Sequence, residues 1–268
     1  MDAYVINLDR QTERLRWMER ILGEAKIAFR RVRAIDATRL KPDFIARRTK
    51  DSSHKLTRFD VAAIMSHRKA WRALLRSSAP HCVVFEDDIH IGHDIAELVA
   101  ALDAGGATFD IVKLESVGER VLIDQGHCCN VAGRQLCPLR SAYMGAAGYV
   151  VNRKAAAALL QSTRSLAVPI DWFMFADDYL TRNGHKVLQT VPGIVAQEEH
   201  LRRLGSGGEL RSCRPARFAG TDRKVKRTPM EKTVHEALRP LRQLAAALAR
   251  YRRMRVEPGL RWGRIGFE

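Results

Sequence analysis

Apolar and polar positions change period along this chain, and each change marks an element. Ala3 to Leu8 is a short apolar run that reads as a first strand. From Glu13 to Ala25, Leu15, Met18, Ile21 and Leu22 recur at helical spacing until Gly23 weakens the pattern. A strand, a turn and a helix open a βα unit. Phe29 to Ile35 alternates like a second strand, and Asp36 to Asp51, polar and interrupted by Pro42, reads as a loop. Thr57 and Asp60 form a capping pair for a long helix whose stripe is Val61, Ile64, Met65, Trp71, Leu74 and Leu75; Ser77 to Pro80 ends it. A strand then runs into Glu86, and Ile89 to Leu102 reads as helix. Further strands are expected at Phe109 to Glu115, Tyr149 to Val151 and Lys186 to Val191. Helices are expected at Arg153 to Leu160 and Trp172 to Thr181, with Ser116 to Arg140 weakly patterned. The alternation predicts an α/β sandwich around a mostly parallel central sheet, without internal repeats.

The stretch with most chemistry is Val83-Val84-Phe85 followed by Glu86, Asp87 and Asp88. An apolar, β-favouring run delivers three adjacent carboxylates at the carboxyl end of a strand, where ligands gather in open α/β sheets. Such a cluster needs a cation or a ring of donors. Hard oxygens without nearby Cys or His favour Mg²⁺ or Mn²⁺, with substrate phosphates as co-ligands. The bland alternative is a solvated acidic turn capping the next helix.

Composition narrows the setting. The 268 residues are 46% hydrophobic, enough for a substantial core, and no run approaches the length of a membrane span. The N-terminus enters a strand directly, without the pattern of a signal peptide, so a cytoplasmic protein is expected. Five cysteines, an odd number with Cys128 and Cys129 adjacent, suggest no disulfide framework and fit a reducing compartment. His127, Cys128, Cys129 and Cys137 lack the spacing of a zinc site.

The net charge of +16 is uneven. From Arg202 to Glu268 there are 18 Lys/Arg against 6 Asp/Glu, which leaves 28 against 24 for the rest (46 − 18 and 30 − 6). A domain over 1–204 and a basic, partly helical extension over 205–268 are expected. Beyond Pro240, Leu241, Leu244, Leu248 and Tyr251 share one helical face, with Arg242, Arg250 and Arg253 opposite. That pattern suits an anionic membrane surface, and equally a helix packing its leucines on the domain. Nucleic acid is disfavoured, because stacking aromatics are few and no nucleic-acid motif occurs.

Other candidates carry rival readings. His67 falls between Trp71 and Leu74 on the helical wheel, so a buried, hydrogen-bonded histidine is expected; no Gly-x-Ser-x-Gly elbow supports a hydrolase at Ser66-His67. Asn7, Asp9, Arg10 and Arg14 would stand at the mouth of the sheet and suit a nucleotide diphosphate, or Arg10 and Arg14 pair with Glu13 and solvent. Dinucleotide-binding and P-loop fingerprints are absent. Asp171, just after Pro169-Ile170, reads as an N-cap or as a general base; Asp177, Asp178, Glu198 and Glu199 are its rivals.

Four segments in order resemble glycosyltransferase family 25, the lipooligosaccharide-core galactosyltransferases. They are Tyr4 to Arg10; Leu56-Thr57 leading to Ser66-His67 and Trp71; Val84 to Ile89; and Gly145 to Arg153 followed by Pro169-Ile170-Asp171. Phe85 stands where the family more often has Leu. The resemblance implies a GT-A-like nucleotide-sugar fold and an inverting, metal-dependent β-galactosyl transfer. UDP-galactose would be the donor and a lipid-linked oligosaccharide the acceptor, at the cytoplasmic face of a bacterial inner membrane. It further implies Mn²⁺ or Mg²⁺ on Asp88 and Asp87. Asn7, Asp9, Arg10, Arg14, Glu86 and Asp87 would lie around the donor, with His67 and Asp171 in the catalytic site. The alternative function is a catalytically weak relative that binds a membrane or polyanion through the basic tail.

Overall fold

The computed structural model describes residues 1–52, 54, 56–176, 184–208, 210, 236 and 238–268. The chain opens with β1 (Asp2–Asn7), α1 (Thr12–Glu24), β2 (Arg30–Arg33), α2 (Pro42–Thr49), α3 (Arg58–Arg76) and β3 (His81–Glu86). It continues through β4 (Ile89–Ile91), α4 (Ile95–Asp103), β5 (Ile111–Lys113), β6 (Arg120–Asp124), β7 (Cys129–Val131) and β8 (Arg134–Pro138). Then come β9 (Gly148–Asn152), α5 (Arg153–Ser162), α6 (Ile170–Phe175), β10 (Val187–Val191), β11 (Val195–Gln197), α7 (Glu198–Arg203), α8 (Arg239–Val256) and β12 (Leu260–Arg264).

Eight strands form one sheet in the order β2-β1-β3-β9-β5-β10-β8-β7. β1 pairs in parallel with β2 and β3, and β5 with β10; β9 and β8 pair antiparallel with their neighbours. Six strands therefore run one way and two against them, which is the mostly parallel α/β sheet expected, with β9 reversed at its centre. Strand alternation divides the core. Val5, Val83 and Phe85 pack with Leu22 and Leu98 on one side, while Tyr4, Val84 and Tyr149 pack with Ile64, Trp71 and Leu74 on the other.

The capping pair is realised in full: Thr57 accepts from the Asp60 N–H, and Asp60 accepts from the Thr57 N–H at 2.9 Å. Several other expectations are corrected. The Pro42 segment is not a loop but begins α2, because proline at a first helical position gives up no needed N–H. Ile89 to Leu102 is not one helix: Ile89–Ile91 is a strand paired antiparallel with β11, and the helix starts at Ile95. The weakly patterned stretch contains β6, β7 and β8. The helix expected from Trp172 spans Ile170–Phe175; Thr181, with the rest of 177–183, lies outside the described residues.

Cys128 and Cys137 form a disulfide, a correction to the reading that the cysteines make no disulfide framework and fit a reducing compartment. The β7–β8 register sets Cys129 opposite Leu136, so the next rung brings Cys128 and Cys137 to a Cα separation of 4.2 Å. Among the described residues no cluster of His, Cys, Asp and Glu has the form of a metal cage. β12 pairs antiparallel with β6, so the chain returns from the basic segment to the domain.

Candidate active site

The carboxyl ends of β1 and β3 open into a cleft of about 230 Å³ lined by residues far apart in sequence, among them Arg10, Arg14, Phe59, His67, Gln197 and Arg202. Glu86, Asp87 and Asp88 form its acidic wall. They sit there because β3 is held between β1 and β9 up to Phe85, Glu86 still pairs with Ile6 of β1, and the backbone leaves the ladder after it. β4 then pairs with β11 so that Gln197 stands opposite Ile89, and the Glu198 N–H donates to the Asp88 carbonyl at 2.8 Å.

Each carboxylate has partners. Asp87 accepts from the Asn7 amide at 2.7 Å and from Arg14 Nη1 at 2.9 Å. The same Arg14 nitrogen lies 3.0 Å from Asp88 Oδ2. Gln197 Nε2 donates to Glu86 at 3.0 Å and approaches Asp88 at 3.4 Å. Burial raises the Asp88 carboxyl to about 6; Arg14 pulls it down, while Glu86 and Asp87 push it up. Burial also raises Asp87, against the opposing pull of Arg14 and the Asn7 hydrogen bond.

Behind this wall a chain of hydrogen bonds reaches Glu86. The Trp71 indole N–H donates to the Tyr149 hydroxyl at 2.8 Å, and that hydroxyl lies 2.9 Å from His67 Nδ1. With Nδ1 accepting from the phenol, the ring proton sits on Nε2, directed at Glu86 Oε1 3.4 Å away. His67 is thus both the buried, hydrogen-bonded histidine of the helical stripe and a residue lining the cleft.

The remaining candidates divide. Arg10 lines the cleft and pairs with Asp36, while Arg14 pairs with the acidic wall, so neither makes the expected local pair with Glu13. Asn7 is fully buried and enters through its bond to Asp87. Asp9 does not line the cleft; it is exposed and pairs with Arg31 at 2.9 Å. Asp171 is buried in the first turn of α6, where Pro169 is the capping residue, and its carboxylate accepts from the Trp172 N–H at 3.0 Å. It does not line the cleft, although its charge, like that of Glu86, acts on the buried Lys113. Asp177 and Asp178 lie outside the described residues.

Glu198 and Glu199 both line the cleft. Burial pushes Glu198 up, but hydrogen bonds from His90 at 2.8 Å and Arg202 at 2.6 Å prevail and hold it below the usual glutamate range. Gln197, Arg202 and Phe59 were not singled out from the sequence. The acidic pair at 198–199, closing a strand, is the signal nearest to them.

Hard carboxylate oxygens fit Mg²⁺ or Mn²⁺ by chemistry. In this arrangement, however, Arg14 supplies the positive charge between Asp87 and Asp88. The cleft therefore sets cations beside carboxylates at a strand-end position suited to a phosphorylated ligand.

Comparison with known proteins decides the family. The profile described as glycosyltransferase family 25 (LPS biosynthesis protein) matches residues 1–174. The chain belongs to glycosyltransferase family 25. Among its relatives, LgtE of Neisseria meningitidis serogroup B, a lacto-N-neotetraose biosynthesis glycosyltransferase, is 27% identical over 78% of this chain and 79% of its own length. LgtB of the same organism, also named for lacto-N-neotetraose biosynthesis, is 35% identical over 54% of this chain. That match spans 56% of LgtB, a little over half its length. The lipooligosaccharide biosynthesis protein lic2B of Haemophilus influenzae is 24% identical over 74% of this chain and 76% of its own. The matched segment of this family 25 chain contains β1, α1, α3, β3 and the turn after β3, and hence Asn7, Arg14, His67 and the whole acidic triplet.

Proposed function

We propose that this family 25 glycosyltransferase has a GT-A-like nucleotide-sugar site and transfers galactose from UDP-galactose, with inversion, onto a lipid-linked oligosaccharide of lipooligosaccharide type. The acceptor would stand at the cytoplasmic face of a bacterial inner membrane. The observation that carries the reading is the convergence of Arg10, Arg14 and Arg202 with Glu86, Asp87 and Asp88 in one cleft at the carboxyl ends of parallel strands. Guanidinium groups suit the donor's diphosphate, and the strand-end position suits its nucleotide. A divalent cation would be held by Asp88 and Asp87, and when bound it would stabilise charge developing on the leaving diphosphate.

This chain's own residues supply the rest. Asn7 and Gln197 orient the acidic wall, and the Trp71–Tyr149–His67 chain fixes Glu86. Inversion further requires a carboxylate that takes the acceptor proton on the face opposite the leaving group; the family resemblance points to Asp171, and Glu86, which lines the cleft as Asp171 does not, is its rival. Calorimetry across the common UDP-sugars, with Mn²⁺ present, tests the reading. UDP-galactose should bind and be turned over in the presence of oligosaccharide acceptor, and absence of binding by every UDP-sugar would overturn it.

A further inference from the structure

Six arginines and no acidic residue occur in α8, and its leucines are not buried against the protein. Leu241, Leu244, Leu248 and Tyr251 are 62, 57, 50 and 56% exposed. They recur every three or four residues and form a ridge about 15 Å long at the helical rise.

The opposite side of the helix faces the domain. Arg250 lies over the Trp262 ring, 4.1 Å from its centroid, and Arg253 donates to the Arg140 carbonyl at 2.9 Å. Trp262 belongs to β12, whose pairing with β6 ties this end of the chain to the body of the protein. Arg250 and Arg253 thus attach the helix, and the leucine ridge points away. The sequence pattern left membrane contact and packing on the domain as equal readings; the burial pattern removes the second. Arg252 and Arg255 flank the ridge, both exposed, and Arg255 Nε donates to the Tyr251 hydroxyl at 3.0 Å.

We infer that the Leu241–Leu244–Leu248–Tyr251 face of α8 is a docking surface for an anionic lipid bilayer, with the helix lying in the interface plane. Apolar side chains enter the acyl boundary, and the flanking arginines meet lipid phosphates. Charge selects this occupant. A second copy would bring two sets of arginines within one Debye length, where they repel. A neutral apolar groove would cover the leucines but gain nothing from the exposed arginines that flank them. The inference deepens the proposed function by bringing the enzyme to the surface where a lipid-linked acceptor stands, but docking is measured without donor or acceptor.

The test is flotation of the full-length protein with vesicles of phosphatidylcholine alone and of phosphatidylcholine with phosphatidylglycerol. The protein should float only with the second, and added salt should weaken binding. Leu244→Asp and Leu248→Asp should each lower vesicle affinity about tenfold or more, as loss of a buried leucine implies. Arg252→Glu with Arg255→Glu should remove the preference for anionic lipid. All these side chains are exposed, so unfolding midpoints and donor binding should match those of the unaltered protein. Equal flotation with both vesicles, undiminished flotation of the leucine variants, or a dimer that Leu248→Asp dissociates would each overturn the inference. Failure of the glycosyltransferase reading would show separately, as absent donor binding by a protein that still floats.

Discussion

Arg14 Nη1 lies 2.9 Å from Asp87 Oδ1 and 3.0 Å from Asp88 Oδ2, so one guanidinium holds the place between two carboxylates that a divalent cation would occupy. The side chain is buried and comes from the first turn of α1, while its partners follow β3. Removing one partner of a buried ion pair leaves the other charge uncompensated, at a cost of about 3 kcal/mol. Arg14→Gln should therefore lower stability by that order in metal-free buffer. Mn²⁺ should restore more of the loss in this variant than it adds to the unaltered protein, because ligand binding to the folded state alone stabilises it. Thermal unfolding with and without Mn²⁺ reads both effects. An Arg14→Gln protein indifferent to Mn²⁺ would argue against a cation on Asp87 and Asp88.

Tyr149 joins helix to sheet at the back of the cleft. Its hydroxyl accepts from Trp71 and lies beside His67 Nδ1, all three residues being fully buried or nearly so. Tyr149→Phe keeps the ring packing but leaves the Trp71 N–H without its acceptor, a loss of about 1–3 kcal/mol for a buried donor. Denaturant unfolding should show that decrease. A double-mutant cycle of Tyr149→Phe with His67→Ala should be non-additive, whereas two independent sites would give additive losses.

Much of this site was legible locally. The apolar run before Glu86, the Thr57–Asp60 cap and the stripe containing His67 and Trp71 are signals within a few residues, and the structure places all three at or behind the cleft. What the sequence concealed depends on distant pairing. Ile89–Ile91 looks helical because three apolar or mixed residues carry no strand period. Only the partner Val195–Gln197, more than a hundred residues away, makes it a strand. The same pairing brings Gln197 to Glu86, so a cleft residue and a misread element share one cause. Likewise the Cys128–Cys137 bond follows from the β7–β8 register, which an unpatterned stretch does not announce.

Assignment of the base separates two carboxylates. Asp171 is buried in α6 and does not line the cleft, whereas Glu86 lines it and is approached by His67 and Gln197. With Asp171 as base, Asp171→Asn should lower kcat by roughly 10²- to 10⁴-fold with donor affinity retained. Glu86→Gln should weaken donor binding as well, because it alters the acidic wall. Steady-state kinetics together with donor calorimetry distinguish the roles. Retained turnover in Asp171→Asn, with loss confined to Glu86→Gln, would transfer the base to Glu86.

A buried pair beside the site gives a pH signature. Lys113 and Glu115 are both fully buried; Glu115 Oε2 lies 3.4 Å from Lys113 Nζ and accepts from the Ala147 N–H at 2.9 Å. Gly145, at φ +96°, leaves room for this carboxylate: a Cβ there would come within 2.5 Å of Glu115 Oε2. Burial raises Glu115 from 4.5 to about 7, against the pull of Lys113, and lowers Lys113 against that of Glu115. Between about pH 4.5 and 7 the unfolded chain has therefore released a proton that the folded chain keeps at Glu115. The unfolded state then binds fewer protons, so this group's contribution to stability falls as pH rises through that window. Glu115→Gln removes the titration and keeps a neutral side chain of nearly the same shape as the protonated carboxyl. The variant should lack this pH dependence, so the stability of the unaltered protein measured relative to it should fall as pH rises from 4.5 to 7. Denaturant midpoints at several pH values measure it. A difference that stays constant or grows with pH would show that Glu115 does not titrate in this range.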